Sequence, residues 1–327
     1  MPLRSIARVA IRPAWRAPAA FVRVKAVLSL GLAAFLPAAA GAATVVVGSG
    51  LDFFNYGNAP AGGSTSVPVF AVLNSDDADR LGTMVLGFPT AEAVPAGLAP
   101  SLYALTSVRL VLNLQNSLLY DPTHDPVESY ISGGVDADPG RPYEVYGLGL
   151  RNGYAGIGFD PGLAGPPLFG EGSPFEPAGG AGLYGQNAYP VSYGAEVART
   201  DHDVTDSVSE GWETEPFGLG AIDGVAPGFT SPANSRVVFT MNLSDPDILA
   251  YFQSSLAAGA VGLNVASLHA SDGIGQGSYP RFSARENTNE ARRPVLEIEY
   301  HLVPEPSTAC LLGFGLLLVA RRRREPA

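Results

Sequence analysis

The sequence is short of cysteine, lysine and histidine. Its one cysteine, Cys310, excludes a disulfide framework and an all-cysteine metal cage. Its one lysine, Lys25, sits near the front. The four histidines, His124, His202, His269 and His301, form no i, i+4 pair, and there is no HExxH, so a zinc protease is not indicated. No G-x-S-x-G is present to make a nucleophile elbow. Gly147-Leu-Gly149 and Gly218-Leu-Gly220 lack the third glycine and the strand-to-helix setting of a dinucleotide site, and they read as turns. No apolar run reaches the roughly twenty residues a stable membrane helix needs.

Glycine (39) and proline (28) are plentiful instead, which argues against a helical bundle because both are poor helix-interior residues. No Gly-x-y period is present, so collagen is excluded, and a hydrophobic content of 46% excludes a disordered polar chain. Charge is unevenly spread. Six basic residues and no acid precede position 44, while four arginines and two glutamates follow position 303. Out of 20 basic and 31 acidic residues, the stretch between keeps 10 and 29, a net of −19. A body this acidic repels a phosphate backbone, so nucleic acid is not an expected partner.

Both basic clusters flank apolar runs. Arg23 and Lys25 precede the run Ala26 to Leu36, Pro37 breaks it, and small residues fill Ala38 to Ala43. Basic, apolar and small-residue regions in that order make a secretory signal over residues 1–43, a helix that engages the Sec translocon and is cut after Ala43 or one or two residues earlier. At the other end Pro304-Glu305-Pro306-Ser307-Thr308 leads into a run of about twelve apolar residues, Ala309 to Ala320. Arg321, Arg322, Arg323 and Arg324 follow, able to hold the run at the cytoplasmic face.

This tail resembles the PEP-CTERM sorting signal of Gram-negative bacteria, whose triplet, apolar segment and arginine cluster all stand here in order over residues 304–327. The resemblance implies recognition by a membrane-embedded exosortase that cuts near the motif. The protein then passes from transient inner-membrane anchorage to the cell surface or the exopolysaccharide (biofilm) matrix. It makes Pro304, Glu305 and Pro306 recognition residues, and it puts Cys310 in the removed tail.

Residues 44–303 read as one all-β domain, a jelly-roll-like β-sandwich. Val108, Leu110, Leu112 and Leu114 alternate with Arg109, Val111 and Asn113, as on a half-buried strand. Leu296, Ile298 and Tyr300 alternate with Glu297 and Glu299. Further strands are expected at 44–47, 84–88, 143–146, 236–243 and 261–268. One helix is expected after a Ser244 or Asp245 cap, with Ile248, Leu249, Phe252 and Leu256 on its apolar face and Gly259 ending it. Residues 147–233, rich in Gly, Pro and Tyr, read as a long excursion between sheets. The body also resembles the DNRLRE-type β-sandwich, related to carbohydrate-binding modules. The matching segments are Val85-Leu86-Gly-Phe88 with Leu105 to Leu112, Asp203-Val-Thr205 with Val208 and Trp212, and Phe282 to Glu286 with Arg293 to Tyr300.

Candidate chemistry is sparse, and no catalytic residue or cofactor is assigned. Asp201-His202-Asp203 is either a metal or acid–base group or a solvated acidic loop, the second being the simpler reading. Asp76-Asp77-Ala-Asp79 and Asp136-Ala-Asp138 offer hard oxygen ligands without EF-hand spacing, so a calcium ion there would be structural. Tyr184, Tyr189, Tyr193 and Trp212 either form a stacking platform for extracellular polysaccharide or pack the excursion onto the sandwich, packing being favoured. The expected function is that of an exported, exosortase-sorted surface or matrix protein with a non-catalytic sandwich. A polysaccharide-binding module and an exported hydrolase are the alternatives.

Overall fold

The computed structural model describes residues 42–55, 64–72, 79–127, 130, 140–159, 169–170, 187–194, 200–270 and 278–303. Its strands are β1 (Ala43–Gly48), β2 (Leu51–Asn55), β3 (Ser66–Pro68), β4 (Thr83–Pro89), β5 (Tyr103–Leu114), β6 (Leu118–Tyr120), β7 (Tyr143–Leu150) and β8 (Ile157–Gly158). They continue as β9 (Phe169–Gly170), β10 (Ala188–Val191), β11 (Gly218–Ala221), β12 (Phe229–Ser231), β13 (Ser235–Thr240), β14 (Ala260–Ser267), β15 (Arg281–Ser283) and β16 (Val295–Leu302). The fold is all-β and sandwich-like. Its two layers are not separate sheets. They are halves of one curled twelve-stranded sheet whose main path runs β1-β16-β5-β13-β11-β7-β14-β4-β2.

The turn from one half to the other is made at β11. Gly218 and Leu219 pair with β7, while Gly220 and Ala221 pair with β13. A Cβ at Gly218 would stand 2.6 Å from the Thr240 carbonyl oxygen, and one at Gly220 would stand 2.7 Å from Val237, so only glycine lets the chain pass this close. Gly218-Leu-Gly220 and Gly147-Leu-Gly149, expected as turns, therefore lie inside strands. The two ends of the path are β1 and β2, which follow each other in the chain. Ser49 and Gly50 join them, the amide of Ser49 donating to Pro294 O and that of Gly50 to Gly87 O.

Side chains from both halves meet in the core. Val108, Leu110, Leu112, Val237, Phe239, Leu296 and Ile298 face Met84, Leu86, Phe88, Val145, Val261, Leu263 and Val265, all buried. The alternation expected for β5 and β16 is the one observed, with Arg109 on the opposite face paired to Glu297 at 2.7 Å. The helix Pro246–Ala258 closes one end of this core with Ile248, Phe252 and Leu256. Asp245 caps it, its Oδ1 accepting from the amides of Asp247 and Ile248, and Gly259 ends it in the left-handed conformation, φ 83°.

The segment 147–233, expected as an excursion, returns to the sheet repeatedly among the described residues. The strand β7 runs on to Leu150, β10 pairs with it, β11 forms the corner and β12 pairs with β6. The reason is local. Along β7 the residues from Tyr143 to Gly147 are all buried, so both faces are covered and no polar alternation marks the strand.

Candidate functional sites: the chain end and a tyrosine-lined cleft

The first site is the end of β16, next to the triplet in the sequence. The strand β16 is held between β1 and β5, with Leu302 opposite Tyr103 and Tyr300 opposite Ala43. The last tie is the Val303 amide, which donates to Leu102 O at 2.9 Å. The next residue in the sequence is Pro304, which has no amide hydrogen to continue a ladder. Val303, the last described residue, therefore stands directly ahead of the triplet in the sequence. Ala43, the expected last residue of the leader, is the first residue of β1. Pro304, Glu305, Pro306, Arg321, Arg322, Arg323 and Arg324 lie outside the described residues, as does most of the expected leader. No helix among the described residues is long and apolar enough to cross a membrane.

The second site is a cleft of about 890 Å³ between the helix Pro246–Ala258 and the sheet. The ladder between β14 and β7 runs from Ser267 opposite Tyr143 to Leu263 opposite Gly147. Beyond that pair the Tyr251 hydroxyl stands between the strands, accepting from the Leu148 amide at 2.9 Å and donating to Gly262 O at 2.6 Å. One phenol thus takes the place of a ladder bond, and the helix face around it becomes a wall of the opening. Asp247, Ala250, Ser254 and Ser255 line this wall, Tyr154 and Ile157 stand on another side, and Leu148, Leu150 and Gly262 contribute from the sheet. A Cβ at Gly262 would come within 2.5 Å of the Ile157 side chain and 2.8 Å of that of Leu148, so both pack directly on the bare backbone there.

Tyr193 also lines this cleft. Its ring stacks on Phe217 at 5.8 Å, and its hydroxyl has no hydrogen-bond partner among the described residues. Burial first, and then the nearby Asp247 charge, push its pKa up, so it stays a neutral donor. The other aromatics are placed differently. Tyr189 is buried on β10 beneath the Arg151 guanidinium, 4.0 Å above its ring. Trp212 is 9% exposed, packs with Tyr146, Val204 and Ala266, and donates its indole N–H to Glu210 at 2.8 Å. Tyr184 lies outside the described residues. Tyr251 went unnoticed in the sequence. Small residues at 250, 254 and 258 along one stripe of the helix were the legible sign of a groove there.

The acidic candidates are engaged within the fold. Asp203 is not solvated: it is buried, ion-paired to Arg151 and hydrogen-bonded by the Thr205 amide at 2.9 Å and by the Thr205 hydroxyl. Its neighbour His202 takes the left-handed conformation, φ 58°. Asp79 is buried and accepts from the Ser209 amide at 2.8 Å, its pKa raised by that burial. Asp76, Asp77, Asp136 and Asp138 lie outside the described residues. Among the described residues no group of three or more His, Cys, Asp or Glu is arranged to hold a metal.

A buried polar cluster that the sequence did not announce ties the second half together. Arg80 donates from Nε to Glu144 at 3.0 Å and from Nη1 to Val204 O at 2.9 Å and the Ser207 hydroxyl at 2.7 Å, with its guanidinium 5.2 Å from the Tyr146 ring centre. Burial would lower the arginine pKa, but Glu144 and the surrounding groups outweigh it and raise it, so the guanidinium stays charged.

The features at the chain end are those of an exported protein that is membrane-anchored and then processed. Residues 302–324 match the PEP-CTERM protein-sorting motif. The chain therefore carries an exosortase sorting signal, and the matched segment begins at Leu302, the last residue of β16. No curated protein matches the chain.

Proposed function

We propose that this is a structural or adhesive protein of the cell surface or extracellular matrix, released from its anchor by exosortase, with a sandwich that performs no turnover. The observation that carries this reading is the position of both chain ends. Ala43 opens β1 and Val303 directly follows its partner β16, so a cut at the leader junction trims at most the first residue of β1 and a cut beyond Val303 leaves β16 whole. Processing at either end then frees the body without opening it. The engagement of Asp203 by Arg151 and Thr205 speaks against an acid–base role in an exported hydrolase. Glu305→Ala, or removal of 304–327, is expected to leave the body out of the surface fraction. Surface delivery unchanged from the parent would defeat the reading.

The cleft favours a second reading, a polysaccharide-binding module. Tyrosine faces stack on sugar rings, and the Tyr193, Ser254 and Ser255 hydroxyls offer uncharged hydrogen-bond partners. A glycan array probed with the body and with Tyr193→Ala tests it. Binding lost in the variant supports it, and an array blank for both counts against it.

A further inference from the structure

The surface beside the exit of the tail is unlike the rest of this acidic body. The segment from Thr90 to Leu102 links β4 to β5 and is pinned on several sides. The amides of Thr90 and Ala91 donate to Gly259 O, Gly97 N donates to Ala257 O, and the Tyr103 hydroxyl donates to Pro95 O at 2.5 Å. It is therefore a built surface and not a loose tip. Ala91, Ala93, Pro95, Ala96, Ala99 and Pro100 are exposed, and Glu92 is the one charged residue in the segment. Val303, the last residue before the triplet, is 40% exposed and is bonded to this segment through Leu102.

The sequence limits how far this surface can stand from a membrane. Five residues, Pro304 to Thr308, separate Val303 from the apolar run that begins at Ala309. Fully extended they reach about 17 Å. A body with a net charge of −19 is repelled by an anionic lipid surface on most orientations, and least where its own charge is sparse.

We infer that in the tethered stage the Ala91–Ser101 surface, with Val303, lies against the phospholipid bilayer, orienting the body so that the Pro304-Glu305-Pro306 triplet is presented at the membrane interface. The inference rests on the sorting reading of the tail and adds to it an orientation of the fold. Small flat residues suit this role: they permit close approach without inserting, so the body can leave once the tail is cut. The opposite end of β5 faces away. Leu114 lies eleven residues along from Tyr103, about 37 Å at strand rise, and is opposite Ser235.

The test uses the full chain with Cys310→Ser, carrying a nitroxide at either Ala96→Cys or Ala233→Cys, reconstituted into vesicles of phosphatidylcholine and phosphatidylglycerol. The nitroxide at 96 should lose most of its collisions with a water-soluble nickel chelate on vesicle binding, while that at 233 keeps its collisions. Equal exposure at both positions in a chain that floats with the vesicles overturns the orientation and leaves the anchoring intact. A chain that does not float with the vesicles overturns the orientation and the anchoring together.

Discussion

The strands β5 and β7 are both central to the same sheet, yet they are built on different rules. The strand β5 has one face in the core and one in water, where Arg109 meets Glu297 and Arg236 reaches the same carboxylate. The strand β7 is covered on both faces over its first five residues. Among them are Glu144, which needs Arg80 beside it, and Gly147, which with Gly149 makes room for aromatic rings. A sheet half with one wet face can be written in alternating residues and tolerates change there. A half with two dry faces has no water to pair its buried polar groups, so Glu144 depends on Arg80, and it is this half that opens into the cleft.

Charge removal should separate the two halves most sharply. Arg80→Met leaves Glu144 buried and unpaired, and a loss of about 3–5 kcal/mol in urea unfolding is expected. Arg109→Ala removes a half-exposed partner and should cost no more than about 1 kcal/mol. Equal losses would mean that the two halves do not differ as described.

The pH dependence of stability sharpens the same contrast, since two displaced groups lie on the second half. Burial, with Glu286 adding to it, raises the Asp52 pKa from 3.8 to about 7 despite the Arg285 amide bonded to its carboxylate. Burial lowers His269 from 6.5 to about 4, its ring held between the Ser267 hydroxyl and Leu119 O. Folded Asp52 keeps a proton that the unfolded chain has released, so its contribution falls as pH rises from about 4 to about 7. Folded His269 refuses a proton that the unfolded chain takes, so its contribution falls as pH drops from about 6.5 to about 4. The two slopes oppose each other in the shared window. Asp52→Asn should remove one of them, and unfolding midpoints should then climb more steeply with pH between these limits. An unchanged profile would contradict the burial of Asp52.

The smallest expected effect is a gain. Asn264 on β14 is fully buried, and both ends of its amide lack a partner among the described residues. Asn264→Val replaces an unsatisfied amide with a strand-forming residue and should stabilise the body by about 1 kcal/mol, read from the same urea curves. A loss of that size would show that the amide is satisfied in solution.

The same contrast explains what the sequence made legible. The inward stripes of β5 and β16 and the capped helix Pro246–Ala258 are each encoded in a single local window, and each forms where expected. The sorting tail was readable because its three parts are contiguous. The course of β7 beyond Tyr146, the corner at β11 and the strand β10 were not, because glycines that look like turns serve there as clearance for Phe217, Tyr251, Tyr189 and the Thr240 backbone. Three-residue strands such as β6 and β12 carry too little pattern to stand out. The cleft depends on one hydroxyl replacing a ladder bond across more than a hundred residues, from Tyr251 to Leu148, which no local pattern encodes.

Whether sorting detaches the body from its tail can be read from the intact mass of the protein recovered from the surface of its native host. The expected species begins near Thr44 and ends between Val303 and Thr308, without the apolar run or the arginine cluster. A surface protein whose mass still includes Ala309 to Arg324 would contradict it.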